Sequence, residues 1–182
     1  MDSLQIQDLV KNDPYLKTKT CKIIYESEIP TQIDKDIILF VLIPNGQIKQ
    51  KENKVRYALG HWCLIDTLKS VHHPRKCTIS YWDPYGIAPS PSTFKKIAGT
   101  ASAHNLRVFI NRKQTQLKVS TICGPIICYI SLMKSRGFSN SQILQSKLST
   151  SDKINAKVLP DMINSLLSKN LKKVTRFSID FL

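Results

Sequence analysis

Apolar residues along this chain come in short runs separated by polar loops, and the runs differ in period. Ser3 to Lys11 repeats at helical spacing and predicts an opening helix. Cys21-Lys22-Ile23-Ile24-Tyr25 reads as a strand or a buried turn. Ile37 to Ile43 is apolar throughout and ends at Pro44-Asn45-Gly46, which predicts a central strand closed by a turn. Ala58 to Ile65 and Cys77 to Trp82 are rich in β-formers and predict two more strands. Pro89 to Ser92 lead into a helix from Thr93 to about His104, and Leu106 to Ile110 is the next strand. The run Ile126 to Met133 predicts a mostly buried helix, with Thr121 as N-cap, Pro125 in the first turn and Gly137 as the stop. Ser139-Asn140-Ser141 caps a helix near Gln142 to Leu148. Asp152 to Leu171 is helical in pattern, with Pro160 as a break or a first-turn residue.

Neither a repeat nor a linker interrupts this order. It predicts one α+β domain over residues 1–182, a central mostly antiparallel sheet flanked by helices. The helix that follows residue 122 and the strands around His61 and Trp82 would meet at one end of that sheet. No run approaches the roughly 20 apolar residues of a membrane span. Met1-Asp2-Ser3-Leu4 lacks a signal-peptide pattern, so a non-secreted protein without membrane contact is expected. The five cysteines are odd in number and show no repeated CxxC spacing. That favours a reduced protein over a disulfide framework or a zinc site. His72, His73 and Cys77 lack ligand spacing, and no metal ligands are expected.

The candidate chemistry lies in four motifs. Cys123-Gly124-Pro125 opens the buried helix, where backbone N–H groups and the helix dipole favour a thiolate. A small buried cysteine at a helix start is the plainer reading of Cys123 taken alone. Gly124 leaves room for a substrate backbone. His61 lies in a strand, where a neutral imidazole can take a thiol proton and later return it to a leaving amine. His72, His73 and His104 stand in polar surroundings instead. Asp83 ends a strand in Asp83-Pro84-Tyr85-Gly86. It serves equally as an ordinary turn residue or as the acid that accepts the imidazole Nδ1–H. Gln116, seven residues before Cys123, is placed to donate to an oxyanion, with Gln114 as its rival. Trp62 is placed to wall off the site from water.

In this order and spacing, His61-Trp62, Trp82-Asp83-Pro84-Tyr85-Gly86, Gln116 and Cys123-Gly124 resemble the adenain family of adenovirus maturation proteases. More distantly they resemble the proteases that process ubiquitin-like proteins. The similarity covers residues 1–135 and includes the amphipathic opening, Leu4 to Tyr15. It implies a papain-like, adenain-like cysteine protease fold with catalytic His61, Asp83 and Cys123 and with Gln116 in the oxyanion hole. Trp62 and Gly124 would flank the substrate, and cleavage would fall near Gly in viral capsid or precursor proteins during virion maturation. The resemblance further implies a monomer in the virion and in the host cytoplasm or nucleus, encoded by a small double-stranded DNA virus or a virophage- or polinton-like element. No cofactor is required on this reading, although DNA or a peptide would stimulate the enzyme. Some features depart from the pattern. No cysteine occurs between Cys77 and Cys123, where the family joins an activating peptide; the acid is Asp in place of Glu; and Gly-Pro replaces Gly-Leu after the thiol.

Charge adds a partner class. The chain carries 27 Lys and Arg against 13 Asp and Glu, a net charge of +14. Such an excess attracts polyanions without sequence preference, or serves solubility alone. Lys169, Lys172, Lys173 and Arg176 form the main candidate DNA-binding cluster, and Arg112 with Lys113 a second. Two other functions remain open on the sequence: a ubiquitin-like-protein protease acting on host conjugates, and a non-enzymatic basic nucleic-acid-binding protein.

Overall fold

The structure, a computed structural model, describes residues 3–44, 60–69, 77–116, 122–146, 148 and 151–168. Helix α1 spans Ser3–Asn12 and α2 Pro91–His104. Helix α3 spans Cys123–Ser135, α4 Asn140–Leu144 and α5 Asp152–Ser168. The strands are β1 (Thr20–Tyr25), β2 (Ile37–Pro44), β3 (Gly60–Asp66), β4 (Thr78–Trp82) and β5 (Arg107–Ile110). Residues 21–25 are therefore strand, not a buried turn.

The strands lie in sequence order in one sheet. β2–β3 and β3–β4 pair antiparallel, whereas β1–β2 and β4–β5 pair parallel. The α+β class holds, but the sheet is mixed and not mostly antiparallel. The reason lies in the connections. β4 returns to β5 through α2, and a helical crossover delivers a strand pointing the same way.

Both faces of the sheet are covered, which explains the near-continuous apolar runs in its central strands. Side chains alternate along a strand, so Phe40, Trp62, Leu64 and Trp82 pack with Ile126, Ile127 and Ile130 of α3. Leu39, Val41, Cys63, Ile65, Ile79 and Tyr81 pack instead with Ile97 and Ala101 of α2. Helix α3 is buried along its whole length because α5 covers it from outside through Leu159 and Ile163.

Polar contacts set the register of α3 on the sheet. Asp66, at the end of β3, pairs with Lys134 Nζ at 3.0 Å. Lys134 also donates to Asn140 Oδ1 at 2.9 Å, and Asn140 Nδ2 donates to Ser80 Oγ at 3.0 Å. At the other end of the chain order, Arg136 donates to Asp13 Oδ2 at 2.7 Å and lies over the Tyr15 ring. The opening helix is thereby tied to the end of α3.

Three expected boundaries move. Helix α2 starts at Pro91 because Ser90 is its cap, accepting from Thr93 N–H. Helix α4 stops at Leu144, whose carbonyl, which a helix reaching Leu148 would have used itself, accepts instead from Lys113 Nζ; Lys113 also binds the Leu148 carbonyl. Helix α5 runs through Pro160 without breaking, since a proline removes one backbone bond while Leu159 and Ile163 stay fully buried.

Candidate active site

The start of β3 carries His61, and β4 runs out into Asp83. Gly60 precedes the histidine because a Cβ there would stand 2.6 Å from Ile43 O on β2. The Asp83-Pro84-Tyr85-Gly86 turn closes with Gly86 N–H donating to Asp83 O at 2.9 Å. Gly86 has φ +70°, and a Cβ on it would meet Arg112 O at 2.8 Å, so both backbone and space demand glycine. The turn is held from outside by the 111–116 loop. Asn111 Nδ2 donates to Asp83 O at 2.9 Å and Thr115 N–H to Pro84 O at 2.8 Å.

Within this frame His61 Nε2 lies 2.8 Å from Asp83 Oδ1, and both residues are buried. The acid thus takes Nε2, not the Nδ1–H expected from the sequence. Tyr85 stacks on the imidazole with centroids 4.1 Å apart, and Asp83, at the end of β4, meets the Nε2 edge. Nδ1 makes no hydrogen bond among the described residues, and is the ring nitrogen left over for proton exchange.

Cys123 is the first residue of α3. Its N-cap position is Ile122, which supplies no side-chain cap; the expected cap, Thr121, lies outside the described residues. Burial alone raises the Cys123 thiol, but hydrogen bonds from His61 and from the Trp62 and Gly124 backbones outweigh it and bring the thiol below its usual value. Burial likewise opposes a charged His61, yet its bonds to Asp83, Cys123 and Cys63 push the imidazole up to about 12. The two opposite shifts both favour the thiolate–imidazolium form of the pair. Cys21, Cys63 and Cys128 go the other way, raised chiefly by burial.

The other expected site residues divide. Gln116 is fully buried at the end of the loop that holds the acid turn, whereas Gln114 is exposed and donates its Nε2 to Gln116 O at 2.8 Å. Gly124 is buried in the first turn of α3. The Trp62 ring is only 5 % exposed and belongs to the core beneath α3, because side-chain alternation turns it away from the face of its neighbour His61. It is the Trp62 backbone that addresses Cys123. The aromatic ring on the imidazole is that of half-buried Tyr85.

Arg112 is exposed, as a DNA contact requires, but the Lys113 ammonium is committed to two carbonyls. Lys169, Lys172, Lys173 and Arg176 lie outside the described residues, as do His72 and His73.

Two residues of this site have roles that the sequence reading missed. Cys63 lies on the same face of β3 as His61 and accepts from Tyr81 Oη at 3.3 Å. Tyr85 was legible as a turn residue but not as a stacking partner. Only the alternation along β3 and the β3–β4 register could have pointed to either.

Comparison with family models, with curated proteins and with solved structures finds no match.

Proposed function

We propose that this protein is a cysteine endopeptidase of the adenain type, with a papain-like arrangement of helix and sheet. The observation that carries the reading is the buried 2.8 Å His61–Asp83 hydrogen bond, beside a Cys123 thiol in the first turn of a buried helix that the same imidazole lowers from its usual value. A base, its orienting acid and a depressed thiol come from three separate elements, which is what nucleophilic catalysis by cysteine requires.

Cys123 thiolate attacks the scissile carbonyl, and the imidazolium gives its proton to the leaving amine. Neutral His61 then takes a proton from water, which hydrolyses the thioester, while Asp83 keeps the ring oriented. Gln116 and the helix-start backbone stabilise the oxyanion. Capsid or precursor proteins of a virion, cut beside Gly, are the proposed substrates, with DNA as a stimulating partner.

Purified protein is incubated with candidate precursors and the new termini are read by mass spectrometry. Cys123→Ala and His61→Ala are each expected to abolish cleavage while circular dichroism stays unchanged. Cleavage by purified Cys123→Ala would sink the assignment.

A further inference from the structure

The junction of β3 and β4 gathers more chemistry than cleavage uses. His61 and Cys63 alternate onto one face of β3. Leu64 pairs with Trp82 and Ile65 with Tyr81, so one further step of the same register sets Cys63 beside Asp83. One ligand atom from each of His61, Cys63 and Asp83 lies within 4.8 Å of the other two, and all three residues are buried. An imidazole nitrogen, a thiol and a carboxylate at that separation form a donor set for zinc and similar thiophilic cations.

We infer that His61, Cys63 and Asp83 form a site for a thiophilic divalent cation, zinc above all, and that its occupation silences the His61–Cys123 pair. The silencing rests on the protease reading; the binding does not.

Two of the ligands already have outer hydrogen-bond partners of the kind that orient metal ligands, and the third is packed by a ring. Tyr81 Oη donates to Cys63 Sγ at 3.3 Å, Tyr85 N–H donates to Asp83 Oδ1 at 2.7 Å, and the Tyr85 ring stacks on His61. Charge also balances. The cation's two charges meet one thiolate and one carboxylate, leaving a neutral unit in a buried place, which lowers the cost of burying an ion.

Binding is a proton exchange without any transfer of electrons. The cation takes the places of the His61 Nε2 proton and the Cys63 thiol proton. Both displaced protons go to solvent. The cation stands where the 2.8 Å His61 Nε2–Asp83 Oδ1 hydrogen bond runs, so the base is held by the metal and loses its orienting acid.

The test starts from Cys123→Ala, which removes the competing thiol and keeps the three ligands. The metal-free variant is titrated with Zn²⁺ against a chromophoric chelator, and with Cd²⁺ while thiolate-to-metal charge-transfer absorption is followed. One equivalent per chain, with the absorption band, is expected. Adding Cys63→Ala should abolish the band and weaken binding roughly tenfold or more. Adding Asp83→Asn should weaken binding and keep the band, with circular dichroism checking the fold of each variant. No binding by Cys123→Ala, or unchanged binding after Cys63→Ala, overturns the site. In protein that retains Cys123, the cleavage rate with zinc is divided by the rate with a chelator. Cys63→Ala should raise the half-inhibiting zinc concentration roughly tenfold or more. Equal sensitivity overturns the silencing. Absence of cleavage by the unsubstituted protein in chelator would count against the protease reading alone, since the binding titration stands without it.

Discussion

Asp83 Oδ1 accepts from His61 Nε2 at 2.8 Å and from Tyr85 N–H at 2.7 Å, so the stacked tyrosine and the imidazole hang from one atom. Tyr85→Phe keeps the ring and the backbone donor and should leave kcat within about twofold. Tyr85→Ala loses the stack, worth about 0.5–1.5 kcal/mol, and should lower kcat about three- to tenfold with little change in KM. Equal effects of the two variants would mean that the hydroxyl, not the ring, does the positioning. A second expectation concerns protonation. The Cys123 thiolate persists above its lowered pKa and is lost as the pH falls through it, while the imidazolium is lost only as the pH rises through about 12. The ion pair is therefore favoured between the lowered Cys123 value and about 12, a window that opens below that of an ordinary thiol. In chelated buffer at about pH 7, iodoacetamide should label Cys123 roughly tenfold or more faster than Cys21, whose thiol burial pushes up to about 11. Peptide mapping reads both rates, and equal rates would rule out the ion pair. Cys123, His61 and Asp83 stood out in the sequence because their neighbours are informative: a helix start, a β-rich run, a Pro-Gly turn. Cys63 did not, and Tyr85 stood out only as part of the Asp83–Gly86 turn, because their roles come from a neighbouring strand and a stacked ring.

At the scale of elements, the chain Asp66–Lys134–Asn140–Ser80 fixes where α3 lies across β3 and β4. Burial raises the Asp66 carboxyl, and Lys134 opposes that rise. Lys134→Met leaves the carboxylate buried without its cation and should cost about 3–5 kcal/mol in urea unfolding. The raised acid is favoured in its neutral form by the fold, so the loss should shrink as the pH falls and Asp66 takes up a proton. A loss that does not change with pH would show that packing, not charge, holds α3 in place. Most elements were legible from period and caps: α3 from its apolar run and its Gly137 stop at φ +83°, and the strands from their β-rich stretches. The mixed pairing was not, because strand direction depends on which elements cross over, and local sequence does not record that. The early end of α4 depends on Lys113, which sits on a distant loop.

At the scale of the molecule, the net charge of +14 is not all available to a polyanion. Lys134 and Arg136 are paired with buried Asp66 and Asp13, and Lys96 and Lys113 bind backbone carbonyls. If DNA is a partner, log affinity should fall with log salt at about 0.9 per phosphate contact. Arg112→Ala should reduce that slope by about one contact, whereas Lys113→Ala should leave it unchanged. A flat salt response in a binding titration would remove DNA from the reading. The contact between Asp13 and Arg136 spans 123 residues, and the nucleophile lies near its far end. A ribosome adding roughly 5–20 residues per second leaves Asp13 waiting roughly 6–25 s for that partner. The base and acid emerge first, the thiol afterwards, and the clamp that seats its helix last of the three. On the protease reading, a chain still on the ribosome holds its base and acid before the clamp that seats the thiol helix can close, so the order of synthesis sets the earliest moment at which that site can be complete.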